Sequence, residues 1–148
     1  MKDTLIVRDN VVVDVWDGGK HVKTYRSHNT WKPDGMRALR DWLAGNGGVP
    51  ITHIAWVDNA GVERARDIVT QRYINPAAPE SIMFRQYLPS ASSANGYTLT
   101  TIRAYNARTG GTMFAESVFD PFGGGVAKTA NNQITVQWIH SFSNGGGA

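Results

Sequence analysis

Apolar and polar positions alternate with period two along most of the chain, and a single stretch switches to helical spacing. That stretch is 34–44. Met36, Leu39 and Leu43 stand at i, i+3 and i+7, Trp42 widens the stripe, and Arg37, Arg40 and Asp41 occupy the other face. Asp34 can cap the N-terminus, Pro33 resists extension backwards, and Gly45 stops the helix, with Asn46-Gly47-Gly48 continuing the turn. One short amphipathic helix cannot bury its stripe alone. Leu39 and Leu43 are therefore expected to pack on a sheet made by the rest of the chain.

Before the helix, Thr4–Arg8 and Val11–Trp16 are apolar runs separated by Asp9-Asn10, a pair suited to a tight turn. Asp17-Gly18-Gly19-Lys20 predicts a hairpin with His21–Arg26 as its return strand. After the helix, Pro50 leads into a strand over Thr52–Val57, and Asp58-Asn59-Ala60-Gly61 turns the chain. Glu63–Asp67 is short and polar and reads as a loop, followed by a strand over Ile68–Asn75 that Pro76 stops. Ser81–Leu88 sets Ile82, Phe84 and Leu88 against Met83, Arg85 and Tyr87. Tyr97–Tyr105 sets Tyr97, Leu99, Thr101, Arg103 and Tyr105 against Thr98, Thr100, Ile102 and Ala104. Thr112–Phe119 is a further strand, 120–132 a glycine-rich loop, and Gln133–Ser143 the last strand, with Ile134, Val136, Trp138, His140 and Phe142 on one side.

These segments predict about eight or nine strands and one helix, with the regular turn spacing of antiparallel pairing. The expected fold is mainly β (α+β), an antiparallel β-sandwich or barrel-like sheet. Residues 1–144 are expected to form a single β-rich domain, and Gly145–Ala148 a disordered glycine-rich tail.

Composition narrows the compartment more than the chemistry. With no cysteine, disulfides and thiolate metal sites are excluded. No apolar stretch approaches the roughly 18 residues of a membrane span, and the N-terminus lacks a signal-peptide core, so synthesis in the cytoplasm is expected. Fifteen basic against twelve acidic residues leave a net charge of +3, too mild to argue for nucleic acid.

Motifs of catalysis do not assemble in the sequence. Phe122–Thr129 invites comparison with a phosphate-binding loop, but Ala127 precedes Lys128 and Phe122 sits where the first glycine belongs. A flexible hairpin loop is expected there, with Lys128 dispensable for stability. His21, His28, His53 and His140 form no local pair at metal-ligand spacing, and His53 and His140 are expected to be satisfied structural histidines on strands. No Gly-x-Ser-x-Gly elbow is present. Most acidic residues fall in turns; Glu80 and Glu116 could be neighbours in a sheet, where solubility of an edge strand is the expected use. No catalytic residue, metal or cofactor is assigned.

Arg64, Arg66, Arg72, Arg85 and Arg103 are interleaved with Tyr73, Tyr87 and Tyr105, as in single-stranded nucleic-acid binders. Glu63, Asp67 and Glu80 dilute that field, and Arg and Tyr are equally at home in protein interfaces. Arg72, Arg85, Tyr87, Arg103 and Tyr105 are therefore the candidate contact residues. Trp42 and Trp138, on apolar faces, are expected in the core, whereas Trp16, Trp31 and Trp56 could stack on a ligand.

Several phrases carry a resemblance: Asn29-Thr30, Gly35, Leu39, Leu43-Ala44-Gly45 and Pro50-Ile51-Thr52-His53-Ile54-Ala55. Thr70-Gln71-Arg72, Asn95-Gly96-Tyr97-Thr98-Leu99, Tyr105-Asn106-Ala107 and Ile134-Thr135-Val136-Gln137-Trp138 continue it across nearly the whole chain. Together they resemble a family of small virion proteins of tailed bacteriophages, though Trp56-Val57 stands where the family often has a small residue. The resemblance implies a β-meander running into one helix and then an antiparallel sheet. It also implies a non-enzymatic structural role in a virion assembled from parts made in the host cytoplasm. Capsid decoration (cement) is the first expectation, with self-association as a homotrimer and contact with the major capsid protein or other virion proteins. A tail or baseplate component is the alternative, and a carbohydrate- or nucleic-acid-binding β-module is a separate class. No membrane and no specific nucleic acid is expected as a partner.

Overall fold

The computed structural model describes residues 5–48 and 50–145; Thr4 of the expected first strand and 146–148 of the expected tail lie outside the described residues. In chain order come β1 (Leu5–Asp17), β2 (Lys20–Ser27), β3 (Thr30–Trp31), α1 (Pro33–Leu43), β4 (His53–Asp58), β5 (Glu63–Ile68) and β6 (Gln71–Tyr73). They are followed by β7 (Ser81–Leu88), β8 (Thr98–Tyr105), β9 (Met113–Val118), β10 (Val126–Ala127) and β11 (Asn132–Asn144). The fold is mainly β, and its two antiparallel sheets form a sandwich rather than a closed barrel. One sheet has five strands in the order β2-β1-β11-β7-β6, and the other has six, β3-β9-β8-β4-β5 with β10 beside β8.

Alternation along the long strands builds the core. Val11, Val13 and Val15 of β1 and Ile134, Val136 and Trp138 of β11 face inward, and β1 and β11 pair from Leu5↔Asn144 to Asp17↔Asn132. Opposite them lie Ile54 and Trp56 of β4, Leu99 and Ile102 of β8 and Phe114 of β9. One buried hydrogen bond ties the sheets together, from Trp56 Nε1 to Gln86 Oε1 at 2.7 Å, which satisfies two polar groups that water cannot reach.

Several elements differ from expectation for identifiable reasons. Asp9-Asn10 is no turn: Asp9 points inward from the middle of β1 and is buried against Trp31 and His140. Glu63–Asp67 is no loop but most of β5, an edge strand whose polar residues find partners on its outer face. The strand expected over Ile68–Asn75 is split, with Ile68 closing β5 and 71–73 forming β6. In β8 the period-two pattern slips, so Leu99 is buried with Ile102 and Ala104; the register against β4 shifts between Val57 and Asp58. The glycine-rich stretch 120–132 contains β10 and a buried Lys128.

The helix departs most from expectation. It begins at Pro33 with Lys32 as N-cap and no side-chain cap; Asp34 instead pairs with Arg37. Gly45 ends it as expected, at φ +71°. Gly35 alone of its residues is buried, and its Cα lies so close to β9 that an added Cβ would meet the Phe114 backbone at 2.5 Å. That contact holds the N-terminal half of α1 on β9, while Leu39 and Trp42 of the C-terminal half line a cavity. Leu39 is half-buried, and Met36, Trp42 and Leu43 are 54%, 61% and 70% exposed. The expected packing of Leu43 and Trp42 in the core is therefore incorrect.

Candidate functional site

Beneath the overhanging end of α1 the sandwich is open, and an apolar cavity of about 350 Å³ enters between the sheets. Leu39 and Trp42 of α1 form its roof; Phe114 of β9, Phe84 of β7 and His140 and Phe142 of β11 form its walls. Its position follows from the helix geometry. Residues 35, 38, 39 and 42 share one arc of the helix; Gly35 is tight against the sheet and Ala38 packs on the core, while Leu39 and Trp42 face the gap. Met36 and Leu43 lie on the flank beside Leu39 and extend the apolar surface outward.

A polar cluster lies beside this cavity, centred on Asp9 and His140, which are 5% and 1% exposed. Trp31 Nε1 donates to Asp9 Oδ2 at 3.0 Å, and His28 Nδ1 lies 2.9 Å from the Asp9 carbonyl oxygen. His140 Nδ1 is 2.7 Å from Asp9 Oδ2, yet out of line for a hydrogen bond, and His140 Nε2 and Asp9 Oδ1 are buried without a partner. Aromatic rings enclose the imidazole: Trp138 is stacked at 5.9 Å, with Trp31 and Phe84 edge-on at 5.5 and 5.4 Å. His140 is buried as expected of a structural histidine, but its hydrogen bonding is incomplete.

The opposite end of the sandwich is polar. Lys128 is 1% exposed, and its ammonium donates to Asn95 Oδ1 at 2.8 Å and to the carbonyl oxygens of Thr129, Asn132 and Ser90 at 2.6, 3.0 and 3.4 Å. Burial lowers its pKa from the ordinary lysine value. Lys128 thus ties the 90–95 loop to the start of β11, and the expectation of a dispensable loop lysine is corrected. Nearby, Asp58 Oδ1 accepts from the Ala60 and Val62 amides, each at 2.9 Å, and Oδ2 from Arg64 Nε at 2.7 Å. Those bonds, the Val62 amide foremost and then Arg64, hold the Asp58 pKa below its usual 3.8.

The five candidate contact residues do not come together. Arg85 and Tyr87 point outward from β7 in the five-stranded sheet, whereas Arg103 and Tyr105 lie on the outer face of the six-stranded sheet. Arg72 on edge strand β6 donates to the Ile51 carbonyl oxygen at 2.8 Å. Arg103 is bonded to Glu116 at 2.7 Å, and Tyr105 lies under the Arg66 guanidinium at 3.5 Å. Glu116 on β9 also faces Lys32 at 3.6 Å, whereas Glu80 lies in the turn before β7 of the other sheet, so the two glutamates are not strand neighbours.

Of the tryptophans, Trp56 and Trp138 are fully buried, and Trp16 and Trp31 partly so. His53 is half-buried on the outer face of β4, its pKa lowered by desolvation and by Arg66 and Arg108. Among the described residues, no group of three or more His, Asp or Glu is placed to hold a metal ion, and no helix is long and apolar enough to cross a membrane. The exposed α1 flank and the cavity it roofs went unnoticed in the sequence, where their apolar stripe reads as core. No family model, curated protein or solved structure matches the chain.

Proposed function

We propose that this chain is a non-enzymatic structural protein of a tailed-bacteriophage virion, acting as a decoration protein that reinforces the head through protein contacts. The observation that carries this reading is where the resembling phrases fall. Asn29 belongs to the first phrase and Trp138 to the last, 109 residues apart, and Trp138 Nε1 donates to Asn29 Oδ1 at 3.1 Å. Pro50–Ala55 leads into β4, which lies between β8 and β5, and Ile134–Trp138 lies within β11, the strand that joins β1 to β7. The order of a β-hairpin, one helix and then antiparallel strands is also the order that the resemblance implies.

The test is gold-labelled antibody against this chain on phage particles purified from cells that produce it. Label over the heads is expected. Label confined to tails favours the tail or baseplate alternative. Particles without label overturn both.

A further inference from the structure

We infer that the cavity under α1 binds a small neutral aromatic molecule carrying one hydroxyl group, with that hydroxyl at His140 Nε2. The inference goes beyond the assembly role and does not depend on it. Size admits such an occupant. The cavity of about 350 Å³ lies within the range of small-molecule pockets, and one of about 150 Å³ already holds benzene. Its aromatic walls come from four elements: Trp42 of α1, Phe114 of β9, Phe84 of β7 and Phe142 of β11. Rings so placed favour a flat occupant, met edge-on or offset-stacked. Such an occupant touches the helix and both sheets at once.

One polar side chain selects the functional group. Of the residues that line the cavity, His140 alone carries an ionisable side chain, and it is 1% exposed. Its Nδ1 lies 2.7 Å from Asp9 Oδ2, close enough for the carboxylate to hold a proton on Nδ1. Nε2 is buried without a partner, and it is the ring nitrogen left for an occupant. Trp31, beside it in the wall, already gives its indole proton to Asp9. Nε2 is a bare acceptor when the imidazole is neutral and an N–H donor when it is charged. A hydroxyl both donates and accepts, so it serves either form, whereas an ether or ketone serves only the charged one. A charged occupant is disfavoured. Apart from His140 the walls carry no charge to replace its lost water, and Asp9 behind the imidazole repels an anion.

Isothermal titration calorimetry at neutral pH tests the inference with three probes: 2-naphthol, naphthalene, which lacks the hydroxyl, and 2-naphthoate, which is charged. 2-Naphthol is expected to bind with a dissociation constant of about 100 μM or tighter. The other two should bind about tenfold more weakly or worse. Nitrogen NMR of the wild-type imidazoles should show His140 Nε2 moving on addition of 2-naphthol, while His21 and His53 stay in place. Leu39→Trp, at the half-buried roof, fills the cavity and should abolish binding. His140→Phe keeps a ring there and should bind 2-naphthol and naphthalene alike; if that variant does not fold, the wild-type comparison still decides. No 2-naphthol binding at millimolar concentration overturns the inference. Naphthalene or 2-naphthoate binding as tightly as 2-naphthol also overturns it. Binding that leaves His140 Nε2 unmoved, or that persists in Leu39→Trp, lies elsewhere and overturns it too. Virions without gold label overturn the assembly role alone.

Discussion

At its Asn132 end, β11 borders a buried cation held by four oxygens, and at its Phe142 end it borders an apolar recess open to solvent. Lys128 is polar and almost wholly inaccessible, whereas Leu43 is apolar and 70% exposed. The difference lies in what each neighbourhood supplies. The 90–95 loop and the turn before β11 bring oxygens that replace the water a buried ammonium loses. At the other end Gly35 and Ala38 hold α1 against the fold, and a cavity lies under its C-terminal half. Polarity of a residue therefore predicts its burial poorly where a single close contact or a local cage sets the geometry.

The largest effect is expected at the polar end. Lys128→Ala removes the buried cation whose four hydrogen bonds join the 90–95 loop to the start of β11, and should cost about 3 kcal/mol in denaturant unfolding. An unchanged midpoint would mean that the cage contributes nothing. At the apolar end, Gly35→Ala gains helix propensity but forces a Cβ against the Phe114 backbone, and should cost about 2 kcal/mol. A stabilised variant would show that α1 is not held at that point. Leu43→Ala should change the stability of the monomer by no more than about 0.5 kcal/mol, measured where the chain is dilute. A loss of several kcal/mol would return Leu43 to the core.

A smaller effect separates the ends by pH. Because the folded pKa of Asp58 is depressed, its contribution is present above the unfolded value of 3.8 and is lost as pH falls through the folded value. Asp58→Asn keeps the amide acceptor but drops the charge, so melting temperatures should fall less steeply with acid below pH 3.8 than in wild type. Parallel curves would contradict the assigned role of the Arg64 and amide bonds.

Much of the fold is legible in local pattern. Ser81–Leu88 alternates cleanly and forms β7 over those residues, and the Asp17–Lys20 hairpin and the Gly45 stop are likewise read from their own residues. What escapes is set by partners far along the chain. Asp9 looks like a turn residue because Trp31 and His140, 22 and 131 residues away, are invisible locally. Polar β5 looks like a loop because Arg66 stacks on Tyr105 and donates to the Ala107 and Gly110 carbonyl oxygens. The cavity escapes for the same reason. An apolar stripe signals that a helix face will be covered, and it does not say whether the cover is the same chain or another copy.

Hydrogen exchange of the native chain, followed by mass spectrometry, tests the contrast between the two ends most directly. Amides of α1 beyond Gly35 should exchange sooner than those at the start of β11, because a cavity underlies the first and the Lys128 hydrogen-bond cage holds the second. Equal protection at the two places, or earlier exchange at the start of β11, would contradict it.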